Sequence, residues 1–336
     1  DNDNRYQLRE VGCIMGKFLM RLDVLIVLLV IATFFSIFIG VSEVRPLQIL
    51  SLTDEQKNIL VSSRIPRTVS IIISGSCLAI CGLIMQQLTR NKFVSPTTAG
   101  TMDWAKLGVL ISLILFPDTN ILFKLLFATL LSLFGTMLFM QILQRIQFKD
   151  VIFIPLVGIM LGNIVSSFST FVALRTNAVQ SIGNFMQGNF SIITSGRYEI
   201  LYISIPLLII AYIFANKFTI AGMGKDFSVN LGLNYHRIVN IGLIIASIIT
   251  ALVVVTVGMM PFLGLIIPNL ISIFRGDHLK NALPHTAILG ALFVMICDIL
   301  GRLIIFPYEI TIGLTIGVIG SFIFIVLLMK GRSKNA

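Results

Sequence analysis

The sequence predicts an all-α, polytopic membrane protein with about ten transmembrane helices. Of the 336 residues, 56% are hydrophobic and 12% are charged, whereas soluble globular domains carry about 25% charged residues. The apolar residues collect into long segments, and a helix of about 20 apolar residues crosses a bilayer. Most of the charged residues fall between these segments. A lipid bilayer is therefore the solvent that suits this chain.

Ten apolar segments account for this prediction. They lie at about 22–41, 68–89, 97–116, 121–143, 151–174, 198–215, 238–257, 259–274, 284–306 and 310–329. The third is strongly apolar only from Leu107 to Phe116, and the eighth is short and contains Pro261 and Pro268. A re-entrant element at either place would lower the number of crossings to nine or eight. We expect one transmembrane domain at 21–330, with cytoplasmic tails at 1–20 and 331–336.

The basic residues predict the orientation in the membrane. With a cytoplasmic N-terminus, 16 of the 25 Lys and Arg residues fall on the cytoplasmic side and 8 on the outside. Cytoplasmic loops are enriched in Lys and Arg, so both termini are predicted to be cytoplasmic. The net charge of +10 follows from this bias. Because the basic residues are scattered over many loops, a nucleic-acid partner is not expected.

The sequence contains no recognisable catalytic motif. His236, His278 and His285 lack metal-ligand spacing, so we expect neither a bound metal nor another cofactor. Cys77 and Cys81 are one helical turn apart, which favours a packing role over a disulfide. A Walker-type loop ending in Gly-Lys-Ser or Gly-Lys-Thr is absent from the sequence. If transport uses ATP, another subunit must supply the ATPase site.

The loop from Asn216 to Arg237 is the longest predicted cytoplasmic connection. Residues Lys225 to Leu231 favour a short helix between two glycines, with the second as a C-cap. Phe227 and Leu231 would then share one face. An exposed apolar face suits a groove on a soluble partner, although a connector lying on the membrane is the alternative. The candidate contact residues are Gly224, Lys225, Phe227, Leu231, Gly232 and Leu233.

Three arginines are candidates for an outer docking surface. Arg64 and Arg67 flank a proline just before the second segment, and Arg302 ends the ninth segment on the same predicted side. Guanidinium groups pair well with carboxylates on a partner or on an anionic cargo. The alternative is that all three only anchor helix ends at the lipid headgroups.

Ionisable residues also occur inside the predicted segments. Asp103 and Lys106 are spaced i, i+3, and Asp298 and Arg302 are spaced i, i+4, so each pair could neutralise itself along its own helix. The alternative is a polar lining of a pathway, because ionisable groups in a bilayer usually face protein or a water-filled cavity. The spacing alone leaves both readings open.

Three sets of motifs between about residues 60 and 330 carry a resemblance to a known family. They are Arg64-Ile-Pro-Arg67-Thr with Gly82-Leu-Ile-Met-Gln86 and Thr89-Arg-Asn91; Gly264-Leu-Ile-Ile-Pro268-Asn269 with Arg275-Gly-Asp-His278 and Leu283-Pro284; and Asp298-Ile-Leu-Gly-Arg302 with Glu309-Ile-Thr-Ile-Gly313 and Ile319-Gly320. The chain resembles the FecCD-type permeases, the membrane subunits of bacterial ABC importers for iron–siderophore complexes, haem and vitamin B12.

The resemblance implies a vitamin B12 permease-like fold in the bacterial cytoplasmic membrane and transport by alternating access. It implies a dimer, with a second copy or a paralogous permease, and a path between the two subunits. It also implies two cytoplasmic ATP-binding subunits and an extracellular or periplasmic siderophore-binding protein. In the family, arginines matching Arg64, Arg67 and Arg302 meet acidic residues of the binding protein. The loop matching Gly222 to Arg237 seats on the ATPase.

The run from Asn91 to Trp104 departs from the commoner Asn-Pro-Leu-Ala pattern of the family. It resembles the branch that handles ferric catecholate siderophores such as petrobactin, and that cargo is the expected one. Asn269 also stands where many members have His. Two other classes remain as alternatives. An ion-coupled secondary transporter of a small anionic solute would need an intramembrane carboxylate site, and a membrane-embedded enzyme would need a nucleophile or a metal set.

Overall fold

The computed structural model describes residues 20–39, 53–117, 120–146, 152–276 and 278–332, and every regular element in these ranges is helical. The helices are α1 (Leu22–Phe38), α2 (Asp54–Ile59), α3 (Ile65–Thr89), α4 (Thr101–Leu115), α5 (Ile121–Arg145), α6 (Phe153–Arg175), α7 (Val179–Met186), α8 (Ser204–Ile213), α9 (Ala215–Gly222), α10 (Lys225–Asn230), α11 (Tyr235–Thr256), α12 (Leu263–Arg275), α13 (Leu279–Leu303) and α14 (Ile312–Arg332). A π-helical turn at Leu60–Arg64 precedes α3, and a 3-10 turn at Tyr198–Ile203 precedes α8.

Each of the ten predicted segments contains a helix, which confirms the all-α membrane fold. Length and composition qualify five helical stretches as spans: Gln56–Thr89, α5, α6, α11 and α13. A sixth span results if the stretch Tyr198–Ile213 and α9 count as one, although the chain bends by 59° between them. α1, α12 and most of α14 are apolar but shorter. The number of crossings therefore stays a prediction.

Helix α3 is the centre of the structure, packed by α11, α12 and α13. Small residues permit this crowding, because without a hydrophobic driving force in lipid, helices associate through close backbone contact. A Cβ added at Gly82 would overlap the carbonyl of Gly264 on α12, and one at Gly75 would lie 2.8 Å from the carbonyl oxygen of Gly290 on α13. Helices α3 and α13 are antiparallel, since Arg67 pairs with Asp298 whereas Ser76, further along α3, donates its Oγ to the carbonyl of Ala287, which comes earlier in α13.

The third and eighth segments differ from the predicted spans. Helix α4 begins at Thr101 rather than near 97 and has 15 residues, and α12 has 13 residues. At 1.5 Å per residue they are about 22 and 20 Å long, less than the ~30 Å of hydrocarbon. Irregular backbone precedes each helix. Irregular backbone is tolerated at membrane depth only where protein buries it.

The run before α4 shows how that burial is achieved. Most residues between Asn91 and Gly100 are buried. Ser95 and Thr98 exchange hydrogen bonds, with the Ser95 amide donating to Thr98 Oγ1 at 2.8 Å and the Thr98 amide to Ser95 Oγ at 3.2 Å. The Asn269 side-chain amide of α12 donates to the Lys92 carbonyl at 2.8 Å. Side chains thus satisfy the backbone groups that a helix would otherwise satisfy.

The predicted boundaries of the loop Asn216–Arg237 were wrong. Helix α9 occupies its first part, so the connection to α11 runs only over residues 223–234. Ala215, Phe218 and Ala221 are buried on one face of α9, and this apolar stripe packs the helix against the core. The bend after α8 turns α9 toward the end of α3, where Gln87 Nε2 donates to the Thr219 carbonyl at 3.4 Å.

Candidate functional site

The first turn of α3 places Arg67 between two carboxylates. Its Nη2 donates to Asp298 Oδ1 of α13 at 2.7 Å. Its Nη1 donates to both carboxylate oxygens of Glu309, at 3.0 and 2.8 Å. The Arg67 side chain retains 13% of its exposure, against 3% for Asp298 and 29% for Glu309. Arg67 therefore joins the start of α3 to the end of α13 and to the connection that follows α13.

Arg302 lies on the other side of Asp298. Its Nη2 forms an ion pair with Asp298 Oδ2 at 2.6 Å, and its Nη1 donates to the carbonyls of Ser36 and Ile39 at 2.9 and 2.8 Å. The last carbonyls of a helix lack intrahelical partners and carry the negative end of the helix dipole. Arg302 thus caps the end of α1, and the predicted i, i+4 pair with Asp298 is confirmed.

Arg64 makes a similar contact from the π-helical turn. Its Nη1 donates to the Ile37 carbonyl of α1 at 2.6 Å, and the residue is only 8% exposed. The structure thus brings the three predicted arginines together, but it turns them inward. We call Arg64, Arg67, Arg302, Asp298 and Glu309 the arginine cluster.

Glu309 had no assigned role in the sequence analysis, although it stands inside one of the quoted motifs. It is the only acidic residue in the sequence from Ile299 to the C-terminus. A lone carboxylate between two long apolar segments is a signal that could have drawn attention to it.

The second candidate surface is α10 and its flanks. A short helix forms between Gly224, at φ 120°, and Gly232, at φ 77°, which confirms the prediction with the helix ending one residue earlier, at Asn230. Both φ values favour glycine, since other residues rarely adopt them. Ser228 is buried, and its Oγ donates to the Ile220 carbonyl of α9 at 3.1 Å as well as to the Gly224 carbonyl at 2.7 Å. One side of α10 is thereby fixed to the protein.

The rest of α10 is exposed and carries apolar side chains. Phe227 is 48% exposed and Leu231 is 55% exposed, and they share the predicted face. Met223 and Val229, which the sequence analysis did not single out, are each 55% exposed. Beside α10, a groove of about 410 Å³ opens between the ends of α3, α5 and α6, with Arg90, Lys225 and Tyr235 among its lining residues.

The arginine cluster and α10 lie at opposite ends of α3. Arg67 is in its first turn, and Gln87 in its last turn contacts α9. A Cβ added at Gly224 would lie 3.2 Å from Arg90 Nη1, just beyond the end of α3. The 20 residues from Arg67 to Gln87 correspond to about 30 Å of helix. That distance matches the hydrocarbon thickness of a bilayer.

Asp103 and Lys106 do not form the local ion pair that their spacing allowed. Lys106 Nζ donates to Ser166 Oγ of α6 at 3.2 Å. A Cβ added at Gly162 of α6 would lie 2.7 Å from Asp103 Oδ2. Both side chains therefore contact α6, because α4 and α6 pack side by side and the polar side chains reach across that contact.

The structure gives the cysteines a packing environment. Cys77, Cys81 and Cys297 are free and buried, and Cys81 Sγ lies 3.7 Å from the Ala246 carbonyl of α11. Within the described parts of the chain, no group of three or more His, Cys, Asp or Glu side chains is placed to hold a metal ion.

Comparison with known proteins places the chain in a family. The FecCD transport family model matches residues 28–330. The petrobactin import system permease protein YclN of Bacillus subtilis (strain 168) is 60% identical over 314 residues, which cover 94% of this chain and 99% of YclN. The ferric-anguibactin transport system permease protein FatD of Vibrio anguillarum (strain ATCC 68554 / 775) is 37% identical over 296 residues, which cover 88% and 94% of the two chains.

A solved structure shares the fold. It is an inward-facing conformation of a metal-chelate type ABC transporter, which aligns with a TM-score of 0.80 and 21% identity over 92% of this chain and 98% of that one. The family match extends over nine-tenths of the sequence and the identity to YclN runs along almost all of it. The chain therefore belongs to the FecCD transport family.

Proposed function

We propose that this chain is the membrane-spanning permease subunit of an ABC importer. It moves a ferric siderophore, of the catecholate type, across the bacterial cytoplasmic membrane by alternating access, with both termini in the cytoplasm. The observation that carries the proposal is the 60% identity to a petrobactin import permease along nearly the full length of both chains. The relative at 37% identity is named for a ferric siderophore as well.

Complementation tests this function directly. Expression of the chain in a Bacillus subtilis strain lacking YclN is expected to restore uptake of radio-iron-labelled ferric petrobactin, while uptake of a ferric hydroxamate serves as the internal control. A chain that reaches the membrane but restores no uptake would count against the proposal. Inactivating the partner ATPase is expected to stop transport. Uptake that survives this inactivation but collapses with an uncoupler would favour an ion-coupled transporter.

The arginine cluster is the proposed docking region for the siderophore-binding protein. Arg67 is the member with the greatest access among the three arginines, and guanidinium groups pair bidentately with carboxylates. Arg64 and Arg302 contribute by holding the end of α1 beside Arg67. Docking is expected to involve acidic residues of the partner, because the opposite charges steer the encounter.

Helix α10 is the proposed contact with the cytoplasmic ATP-binding subunit. Exposed Phe227 and Leu231 supply an apolar contact surface. The residues at its borders are Gly224, Lys225, Gly232 and Leu233. Ser228 fixes the helix to α9 through the Ile220 carbonyl, so that a push on α10 is transmitted to α9 and to the end of α3. A buried polar anchor beneath an exposed apolar face suits the seating of a short helix in a partner groove.

The exposed polar face of α6 is the proposed wall of the cargo path. Asn163, Ser167 and Thr170 are exposed at i, i+4 and i+7, and such residues in a spanning helix usually face a water-filled cavity or another protein rather than lipid. Lys106 joins this region through Ser166. A positive charge there suits an anionic chelate. A second permease subunit, identical or paralogous, closes the path from the other side.

A further inference from the structure

The carboxylate of Glu309 occupies the position that a docking partner would need. It accepts two hydrogen bonds from Arg67 Nη1 at 3.0 and 2.8 Å. It is also the more exposed of the two carboxylates in the cluster, with 29% of its side chain accessible against 3% for Asp298. A partner that approaches Arg67 from outside the protein therefore meets a guanidinium whose Nη1 already donates to Glu309.

The charge balance limits what docking can do. Arg67 and Arg302 bring two positive charges, and Asp298 and Glu309 bring two negative charges, so these four groups are neutral together. The positive charge of Arg64 is directed instead at the Ile37 carbonyl of α1. A further carboxylate at Arg67 would add a repulsive negative charge beside two others within the same small volume. Docking by a partner carboxylate therefore requires that one of the two resident carboxylates withdraws.

Only Glu309 can withdraw. Asp298 lies within α13 and is held by two arginines. Glu309 instead follows a connection whose residues 304–308 are all exposed, and Arg67 is its ion-pair partner. Its side chain can change rotamer without unfolding a helix. An unpaired guanidinium with 13% exposure would be costly, which explains why a resident carboxylate pairs with Arg67 before docking.

We propose that, before docking, the Glu309 carboxylate pairs with Arg67 in the place of an acidic residue of the siderophore-binding protein. Docking then exchanges one carboxylate for the other at Arg67. This proposal rests on the proposed docking role of the arginine cluster. The exchange makes docking reversible, because Glu309 competes with the partner at the same nitrogen. It also connects docking to the end of α13, since Ile310 beside Glu309 donates its amide to the Gly301 carbonyl at 2.9 Å.

The affinity of the binding protein for the reconstituted importer tests the exchange. The probe is the siderophore-binding protein that supports ferric petrobactin uptake with this chain. Glu309→Gln removes the competing charge and is expected to raise the affinity about 2- to 5-fold, the range of a partly exposed ion pair. Glu309→Ala, which also removes the neutral hydrogen bond, is expected to raise it at least as much. Unchanged or weaker binding by both variants overturns the proposal.

Two further variants separate the possible causes. Glu199→Gln removes one negative charge from a loop on the same predicted side, where Glu199 Oε1 accepts from the Gly196 amide at 2.9 Å. It is expected to change the affinity less than about 2-fold, and a gain equal to that of Glu309→Gln would indicate general charge steering and overturn the exchange. Arg67→Glu tests the docking role itself. If it leaves binding unchanged, the docking assignment fails; if it weakens binding while Glu309→Gln has no effect, only the exchange fails.

Discussion

Asp298 is the residue on which the arginine cluster depends, and its neutralisation gives a stringent test. Its two oxygens pair with Arg67 at 2.7 Å and with Arg302 at 2.6 Å, and both arginines are largely buried. Asp298→Asn keeps the shape of the side chain but leaves two guanidinium groups with one carboxylate. Removing one partner of a buried ion pair costs about 3–5 kcal/mol.

The expected shift in unfolding temperature follows from the size of the chain. With an unfolding entropy of about 2.1 cal/mol/K per residue, that cost lowers the unfolding temperature of a 336-residue chain by about 4–7 °C. Thermal unfolding of the detergent-purified complex, followed by circular dichroism, measures it. Asp54→Asn is the matched control, because the Asp54–Lys57 pair is exposed and such pairs contribute little. A shift of less than about 1 °C for Asp298→Asn would show that Asp298 does not hold the arginine cluster together.

Three further predictions, two of them with a control variant, concern the rest of the protein. Leu231→Asp should abolish transport-coupled ATP turnover or release the ATPase, since it places a charge on the exposed apolar surface at α10. The control variant Asn230→Asp should do neither. Normal stimulated ATP turnover in the Leu231→Asp variant would reject the coupling role. Gly82→Ala should destabilise the protein by about 1–3 kcal/mol, measured by thermal unfolding, because its methyl group overlaps the backbone of α12. Gly183→Ala of α7, whose methyl group would meet open space, should leave the stability unchanged or raise it by up to about 1 kcal/mol, because Ala has the higher helix propensity. A destabilisation equal to that of Gly82→Ala would contradict the packing argument. Lys106→Gln should slow uptake of ferric petrobactin at unchanged expression; unaltered uptake would remove Lys106 from the path.

The positions of the helices and of α10 could be predicted because their determinants are local. A spanning segment must be apolar along its length and must satisfy its own backbone groups, so hydropathy alone reveals it. The glycines at 224 and 232 likewise indicated the ends of α10, since a positive φ restricts the residue type. The boundary of α9 was missed, because the apolar stripe that continues the helix past Phe214 is short and polar residues interrupt it.

Local sequence patterns were sufficient to predict the membrane class, the approximate places of the helices and the residue types available for docking and coupling. Which charges meet depends on how the helices pack. Arg67 and Glu309 are 242 positions apart, and Lys106 turned to α6 rather than to Asp103. A buried charge takes whichever counter-charge or polar group the packing of neighbouring helices brings within about 3 Å. That selection depends on helix arrangement in space, which spacing along the chain does not encode.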